Sequence, residues 1–316
     1  MKSDAILMVN MGGPAGTDEI RPYLKEIFRD PLILPVPGWL RGAVGNMIVS
    51  RRLDKVTKRY ESIGGASPLL MWTEALTREV REMAELKGQP RRIEFAYRYS
   101  RPVIPEAIET MRAEGVESIT LLPLFPHYTR AMTGSVQIEA TRAATRQGVI
   151  LRPVPAWGLH PAILELQTRY LREAVKEAGE GARVLFVAHG IPVRNVRRGD
   201  PYTDQVRRTA VALANSLPRD MEWTLAYQSR LGPVKWTEPY LEDELARFTQ
   251  SSDPIVVMPL SFVADCLETL YDLDDVARKQ AERAGVARFV RVPAFNSDAR
   301  FAEALLEIVK EIEDEA

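Results

Sequence analysis

His189 is the residue of this chain whose type and position best suit acid–base or metal chemistry. It follows the apolar residues 185–188, and Gly190 and Pro192 come shortly after it. An apolar run closed by a Gly- and Pro-rich turn predicts a buried strand whose carboxyl end exposes the next side chain. A neutral imidazole can accept a proton near neutral pH and can bind a divalent metal. We therefore expect a functional role for His189.

The other two of the three histidines have less favourable surroundings. His160 precedes Pro161, which is typical of the start of a helix and predicts a solvated residue there. His127 follows an apolar run in the sequence LFPHYTR and has no acidic residue close to it in the chain. We expect both residues to be structural.

Four acidic residues follow another apolar run, in residues 259–275. Asp265, Glu268, Asp272 and Asp275 are three or four residues apart, a spacing that places them on one face of an α-helix. Like charges so placed destabilise a helix by roughly a few tenths of a kcal/mol per pair. The helix dipole explains only Asp265, near the predicted N-terminus. We predict that the cluster binds a divalent first-row cation or relays protons.

Composition excludes several classes of function. The net charge of −1 gives no field to attract a polyanion, so nucleic acid is not an expected partner. One cysteine, Cys266, permits neither an intrachain disulfide nor an iron–sulfur cluster made by this chain alone, and fits a reducing cytoplasm.

The first residues predict a strand rather than a signal peptide, and no stretch of roughly 18 apolar residues could span a bilayer. Phosphate-loop, zinc-protease and serine-hydrolase motifs are absent.

Short apolar runs alternate with amphipathic stretches along the chain, a pattern that predicts an α/β fold with parallel sheets. LMVNMGGP at the start is similar to LFVAHGIP in the second half, and LLPLFP is similar to VMPLSF. We predict two doubly wound, Rossmann-like half-domains, residues 1–160 and residues 161–316. The predicted strands are residues 5–9, 118–122, 183–187 and 255–258, and the predicted helices are residues 17–28, 69–86, 103–114, 161–178 and 299–312.

Residues 30–50 depart from this alternation. They are apolar but contain three prolines, three glycines and Arg41, so they cannot form one straight helix. Two interpretations remain open: a buried connector, or an apolar lip over a cleft that touches a membrane and admits an apolar ligand.

Seven segments in order across nearly the whole chain resemble the ferrochelatase family. They are LMVNMGGP, IGGASPL, LLPLFPHYTRAMTGS, FVAHGIP, RGDPYTDQ, AYQSRLGPVKW and FVADCLETLYDLD. The resemblance implies a porphyrin-sized cleft between the two halves, with ferrous iron as a substrate and no permanently bound cofactor. By this resemblance His189 matches the active-site histidine of the family and Glu268 matches its active-site glutamate. Asp272 and Asp275 then continue a column of acidic residues that handles the metal. The residues carried over as substrate-binding are Met11, Arg98, Tyr99 and Trp236, with Asn10 and Phe262 in supporting positions.

Further implications of the resemblance concern substrate and mechanism. Family members that act on coproporphyrin tend to have tyrosine where this chain has Met11, so we expect protoporphyrin IX. We assign proton abstraction to His189 and metal delivery or proton exit to Glu268, and the reverse division stays open. Some relatives have histidine at the position of Cys266, which leaves metal binding there unsupported. We expect a cytoplasmic enzyme. Three kinds of partner stay open for it: a protein that accepts haem, a protein that donates iron, and a membrane surface contacted through residues 30–50.

Other functions fit parts of the pattern. A coproporphyrin ferrochelatase would share nearly every motif. A sirohydrochlorin or cobalt chelatase would use paired histidines, whereas only His189 is well placed here. A non-catalytic tetrapyrrole or metal carrier could share the architecture, because fold alone does not determine function.

Overall fold

A computed structural model describes residues 3–230, 232, 234–248 and 252–315. Within these residues the chain forms two four-stranded sheets, both entirely parallel, with helices around each sheet. The predicted α/β class is therefore confirmed. The strands are β1 (Ser3–Asn10), β2 (Arg92–Tyr97), β3 (Val116–Pro123), β4 (Ile150–Pro153), β5 (Arg183–His189), β6 (Trp223–Gln228), β7 (Ile255–Pro259) and β8 (Phe289–Arg291).

The helices occupy the connections between the strands. They are α1 (Ile20–Arg29), α2 (Gly38–Glu61), α3 (Pro68–Leu86), α4 (Ile104–Ala113), α5 (Ser135–Gln147), α6 (Pro161–Ala178), α7 (Val193–Arg197), α8 (Tyr202–Ala214), α9 (Leu241–Phe248), α10 (Arg278–Arg283) and α11 (Ala299–Asp314). A 3-10 turn, Thr17–Glu19, precedes α1, and two π-helices, Arg130–Gly134 and Glu268–Ala277, precede α5 and α10.

Sequence patterning identified the two central strands of each sheet and missed the edge strands. The order of the sheets is β2-β1-β3-β4 and β6-β5-β7-β8. In the central strands the side chains of both faces are buried, as in β1, where residues 5–9 are all 0% exposed. A continuous apolar run results. Edge strands such as β4, whose residues are exposed or half-buried, have no such run.

The chain divides into two compact units. The first contains residues 1–125, 129–155 and 296–316, and the second contains residues 126–128 and 156–295. The observed division differs from the expected boundary at residue 160, because α11 belongs to the first unit. Glu313 of α11 accepts hydrogen bonds from Arg91 at 2.7 Å and from Thr120 at 2.9 Å. A long-range contact of this kind leaves no local signal in the sequence.

The predicted lip has two parts. Residues 30–37, which contain all three prolines, are irregular, and α2 begins at Gly38 and continues to Glu61. The guanidinium of Arg41 donates to the carbonyl oxygens of Leu34 and Val36, at 3.2 and 3.0 Å, and so binds the irregular part to the helix. Within the described ranges, none of the helices has both the length and the apolar character needed to cross a membrane.

Candidate active site

His189 is fixed by its backbone at the carboxyl end of β5. Its N–H donates to the hydroxyl of Ser261 at 3.1 Å, and Ser261 shares a hydrogen bond of 2.5 Å with the hydroxyl of Tyr202. Ser261 lies just after β7, which is adjacent to β5 in the sheet. Burial raises the pKa of the Tyr202 phenol, so this hydroxyl remains protonated and acts as a structural anchor.

The imidazole of His189 is oriented by a hydrogen bond to the chain itself. Its Nδ1 lies 2.6 Å from the carbonyl oxygen of Gly190. A carbonyl oxygen can only accept, so Nδ1 is the donor, and in the neutral ring Nε2 retains the lone pair. The rings of Trp236 and Phe262 each lie 6.3 Å from the imidazole, centroid to centroid, in edge-on arrangements. The ring is thereby held as a base or ligand through Nε2.

Glu268 opens the longer π-helix in the connection that follows β7. The sheet order places the ends of β5 and β7 side by side, and Glu268 follows the end of β7 in the same unit as His189. Glu268 is half-buried and lies beside Cys266. Burial and the Glu268 carboxylate raise the pKa of the Cys266 thiol well above its ordinary value. The thiol therefore stays protonated, which disfavours it as a metal ligand at neutral pH.

The helix under the predicted acidic column differs from the expectation, because residues 268–277 form a π-helix and not an α-helix. A π-helix has more residues per turn, so side chains seven apart no longer stack on one face. Asp272 accepts from Ser229 at 3.3 Å, whereas Asp275 pairs with Lys279. Of the metal ligands expected from the sequence, no three within the described residues place ligand atoms within 4.8 Å of one another.

Two other acids of this region are held by a single arginine. The guanidinium of Arg291 lies 3.2 Å from Asp265 and 2.8 Å from Asp274, and all three side chains are mostly buried. Burial opposes the charge of Arg291, but the two carboxylates more than compensate, so its pKa is raised. Asp265 is therefore part of a structural ion pair, which its helical spacing could not reveal.

The corresponding edge of the first unit carries Asn10 and Met11. The side-chain oxygen of Asn10 accepts from the N–H of Met11 at 2.8 Å, and the carbonyl of Met11 accepts from the N–H of Tyr99 at 3.0 Å. Asn10 is buried and Met11 is half-buried. Of the two, only Met11 has a side chain accessible to a ligand, which makes Asn10 a supporting residue of the turn.

Arg98 and Tyr99 are anchored by Asp30, a residue that sequence reasoning did not select. The Asp30 side chain is 2% exposed and accepts from Tyr99 at 2.8 Å, from Arg98 at 3.2 Å and from Ser135. Burial and the neighbouring carboxylate raise the pKa of Tyr99, so its hydroxyl stays a donor to Asp30. The Tyr99 hydroxyl is thus committed to the protein, and Arg98 retains 22% exposure of its side chain.

The two remaining histidines, His127 and His160, are both at least half-buried. His127 is 3% exposed, its Nε2 lies 2.9 Å from the Thr209 hydroxyl, and burial lowers its pKa to about 4. His160 is the N-cap residue of α6, as the following proline predicts, but it is half-buried rather than solvated. Tyr202 and Ser261, the two anchors of His189, had no signal of their own, although Tyr202 lies in the RGDPYTDQ segment.

Comparisons with known proteins agree with the resemblance. The ferrochelatase family model matches residues 3–313. The ferrochelatase of Synechococcus elongatus is 35% identical over 315 residues, which cover 97% of this chain and 81% of that protein. The ferrochelatase of Caulobacter vibrioides is 34% identical over 311 residues, with 97% and 89% coverage.

Solved structures show the same fold. SirB from Bacillus subtilis with Fe3+ has a TM-score of 0.57 at 14% identity, covering 99% of this chain and 96% of its own. CbiX, the terminal enzyme for sirohaem biosynthesis in denitrifying bacteria, has a TM-score of 0.55 at 16% identity, with 98% and 99% coverage. These identities carry the fold alone, whereas the family model spans nearly the entire chain and the relatives exceed 30% identity. The chain belongs to the ferrochelatase family.

Proposed function

We propose that this ferrochelatase-family enzyme inserts Fe2+ into protoporphyrin IX to form protohaem, with His189 as the base. The observation that carries the proposal is the hydrogen bond from His189 Nδ1 to the Gly190 carbonyl, which leaves the lone pair on Nε2. Family membership supports iron insertion into a porphyrin as the reaction. The choice of protoporphyrin and the roles of individual residues are the proposed part.

The first chemical problem is the two protons on the inward-pointing pyrrole nitrogens. Nε2 of His189 can accept such a proton, because the Gly190 carbonyl supports the positive charge that then develops on the ring. Trp236 is 8% exposed, so its ring is held rigidly next to this base. Contact with a rigid surface favours a bent porphyrin over a flat one, and a bent ring turns its nitrogen lone pairs out of the plane.

The second problem is delivery of the iron, which must lose its water before it binds. Half-buried carboxylates suit a hard divalent ion in transit, and Glu268 and Asp272 are half-buried. Glu268 lies beside the protonated Cys266 thiol, and none of the ion pairs found among the described residues involves Glu268. We propose that Glu268 and Asp272 pass the iron to the ring. Because Asp275 pairs with Lys279, we assign it no part.

The opposite division of labour, with Glu268 as the base and His189 as the iron ligand, is tested by Glu268→Gln. Under our proposal this variant raises the KM for Fe2+ and retains the rate of pyrrole deprotonation. A variant that loses deprotonation but keeps its KM for iron supports the reverse assignment. Both quantities are measured with the same porphyrin, which keeps substrate binding constant.

The first unit supplies further proposed porphyrin contacts. Met11 offers a half-buried, polarisable thioether, and Arg98 offers a guanidinium with 22% exposure that can pair with a propionate. Met11 in place of tyrosine favours protoporphyrin IX. Competition between protoporphyrin IX and coproporphyrin for the same enzyme should give a higher kcat/KM for protoporphyrin IX, and a preference for coproporphyrin would overturn the choice of substrate.

The basic experiment mixes the protein with protoporphyrin IX and either ferrous or zinc ion under anaerobic conditions and follows porphyrin absorbance. Many turnovers per chain support an enzymatic function. An absorbance change that stops after one equivalent of porphyrin per chain identifies a carrier. Sirohydrochlorin with Co2+ in the same assay tests the sirohaem-type alternative, which predicts turnover with that pair and none with protoporphyrin.

We further propose that the irregular segment and α2 touch a membrane surface from the cytoplasmic side. Trp39 is 82% exposed and Met47 is 46% exposed, both on α2. Exposed apolar side chains on a surface helix suit the interfacial region of a bilayer. Trp39→Ser should reduce cosedimentation with anionic vesicles, whereas Trp223→Ser, at a tryptophan 40% exposed on β6, should not. Equal binding by all three proteins would contradict membrane contact and would leave a haem acceptor or iron donor protein as the partner.

A further inference from the structure

Arg291 is the last residue of β8, and its guanidinium binds one acid that precedes Glu268 in the chain and one that follows it. Its Nε lies 2.9 Å from both carboxylate oxygens of Asp274, and its Nη2 lies 3.2 Å from Asp265. The side chains of Arg291 and Asp265 are only 11% and 16% exposed. Because a guanidinium is a rigid planar fork, contacts to two carboxylates hold both acids in one geometry.

The two acids lie nine residues apart, a spacing that fits the π-helix better than an α-helix. At about 3.6 residues per turn, nine residues make about 2.5 turns, so Asp265 and Asp274 would lie on opposite sides of an α-helix continued over both. Residues 268–277 form a π-helix, in which each residue turns the chain through a smaller angle. The wider turns let Asp274 reach the same guanidinium as Asp265. Arg291 therefore favours the π-helical form over the α-helical form.

Hydrogen bonds continue from this ion pair to the immediate neighbours of Glu268. The hydroxyl of Thr269, a residue that is 0% exposed, donates to the Asp265 carboxylate at 3.0 Å and accepts from the N–H of Cys266 at 2.9 Å. The thiol of Cys266 in turn lies beside the Glu268 carboxylate. The chain on both sides of Glu268 is thus connected to Arg291.

We propose that Arg291 is a positioning residue, which keeps residues 268–277 in the π-helical form and so sets where the Glu268 carboxylate meets the iron. The inference rests on the proposed function, in which Glu268 passes Fe2+ to the ring. Arg291 acts through its two acids and the backbone between them, and it touches neither substrate. A group that orients a metal-binding side chain in this way changes the affinity for the metal.

Arg291→Lys tests the proposal, because lysine keeps the positive charge but its single ammonium cannot reproduce the fork. We expect the KM for Fe2+ to rise by about tenfold, with kcat at saturating iron within about threefold and the KM for protoporphyrin IX within about twofold. In the Glu268→Gln background the same substitution should raise the KM for Fe2+ no further, because the carboxylate that Arg291 positions is gone. A crystal structure of Arg291→Lys should show residues 268–277 out of the π-helical form.

Thr269→Val provides a second test that leaves the ion pair in place. Valine keeps the shape of the side chain but lacks the hydroxyl that links Asp265 to Cys266. Its KM for Fe2+ should rise by about threefold or more. Thr269→Ser, which keeps the hydroxyl, should return the KM for Fe2+ to within about twofold of the wild type.

Arg183→Lys is the matched control. Arg183 also binds two acids, Glu222 at 3.3 Å and Asp253 at 2.9 Å. It is the first residue of β5, at the opposite end of the strand from His189. Because this pair of acids lies away from the π-helix, the KM for Fe2+ of Arg183→Lys should equal that of the wild type.

Four results would overturn the inference. They are an unchanged KM for Fe2+ in Arg291→Lys, an equal rise in Arg183→Lys, a further rise in the Glu268→Gln background, and a retained π-helix in the crystal structure. A wild-type protein without turnover in the same assay overturns the proposed function instead, and the crystal structure of Arg291→Lys then still decides whether Arg291 holds the π-helix.

Discussion

The ends of β1 and β5 occupy the same position in two copies of one architecture. Directly after β3 the N–H of Leu124 donates to the carbonyl of Val9 in β1 at 2.8 Å, and directly after β7 the N–H of Leu260 donates to the carbonyl of Val187 in β5 at 2.7 Å. The turns GGP and GIP follow Met11 and His189 respectively. A thioether in one copy thus stands where the other has an imidazole. The same backbone can therefore carry side chains of very different chemistry in the two units.

The residues around the ends of β1 and β5 also differ between the two units. In the first unit the buried Asp30 is saturated by Arg98, Tyr99 and Ser135, and the π-helix there has five residues. In the second unit the π-helix has ten residues and begins with the half-buried Glu268. π-helices recur at functional sites because their wider turns move side chains out of regular register. The first edge, at the end of β1, is held rigidly by the Asp30 contacts. The second edge, at the end of β5, retains groups that can exchange protons and ions.

The largest effect on kcat should come from giving the second edge the thioether that the first edge has at the corresponding position. His189→Met should lower kcat by about 100-fold or more, because a thioether cannot accept the pyrrole proton. The dissociation constant for protoporphyrin should stay within about threefold, measured by fluorescence quenching. A variant with turnover near that of the wild type would remove His189 from the mechanism and end the functional contrast between the two edges.

Removal of the anchor of the first edge should affect stability more than chemistry. Asp30→Ala leaves the guanidinium of Arg98 and two hydroxyls without their acceptor, which should lower the free energy of unfolding by about 3 kcal/mol. Glu106→Ala removes an exposed ion pair with Arg101 in the same unit and should change the free energy by less than about 1 kcal/mol. Urea unfolding measures both, and equal values would show that the Asp30 network does not hold this edge together.

His127 should make the second unit sensitive to acid. Burial lowers its pKa from 6.5 to about 4, so the unfolded chain takes up the proton first. The stability it contributes is complete above about pH 6.5 and falls as pH decreases toward 4, by about 2 kcal/mol between pH 7 and pH 5. His127→Gln, which can keep the contact with Thr209, should lose that part of the pH dependence of the melting temperature. If the melting temperatures of the wild type and His127→Gln change with pH in parallel, the prediction is contradicted.

The smallest effect should come from the end of the acidic column. Asp275→Asn removes a charge that is paired with Lys279 near the surface, so kcat should change by less than about twofold. Steady-state kinetics at saturating Fe2+ and porphyrin measure it. A loss comparable to that of His189→Met would mean that all the acids of the π-helix act together, contrary to the geometry described above.

Sequence reasoning selected the proposed reactive residues that follow strong apolar runs. His189 and Glu268 were selected in this way, because a buried strand closed by a Gly or Pro turn is a local pattern. Asp30 and Ser135 were missed, since their contact joins residues 105 positions apart. The π-helix was taken for an α-helix because its apolar spacing is compatible with either.

The tautomer of His189 is the property on which the mechanism depends most directly. The chain has three histidines, so selective 15N labelling of imidazole gives few signals, and His189→Met identifies the one of interest. We predict that the neutral ring of His189 carries its proton on Nδ1 and leaves Nε2 unprotonated, as donation to the Gly190 carbonyl requires. A neutral ring protonated on Nε2 would contradict the assignment of His189 as the base.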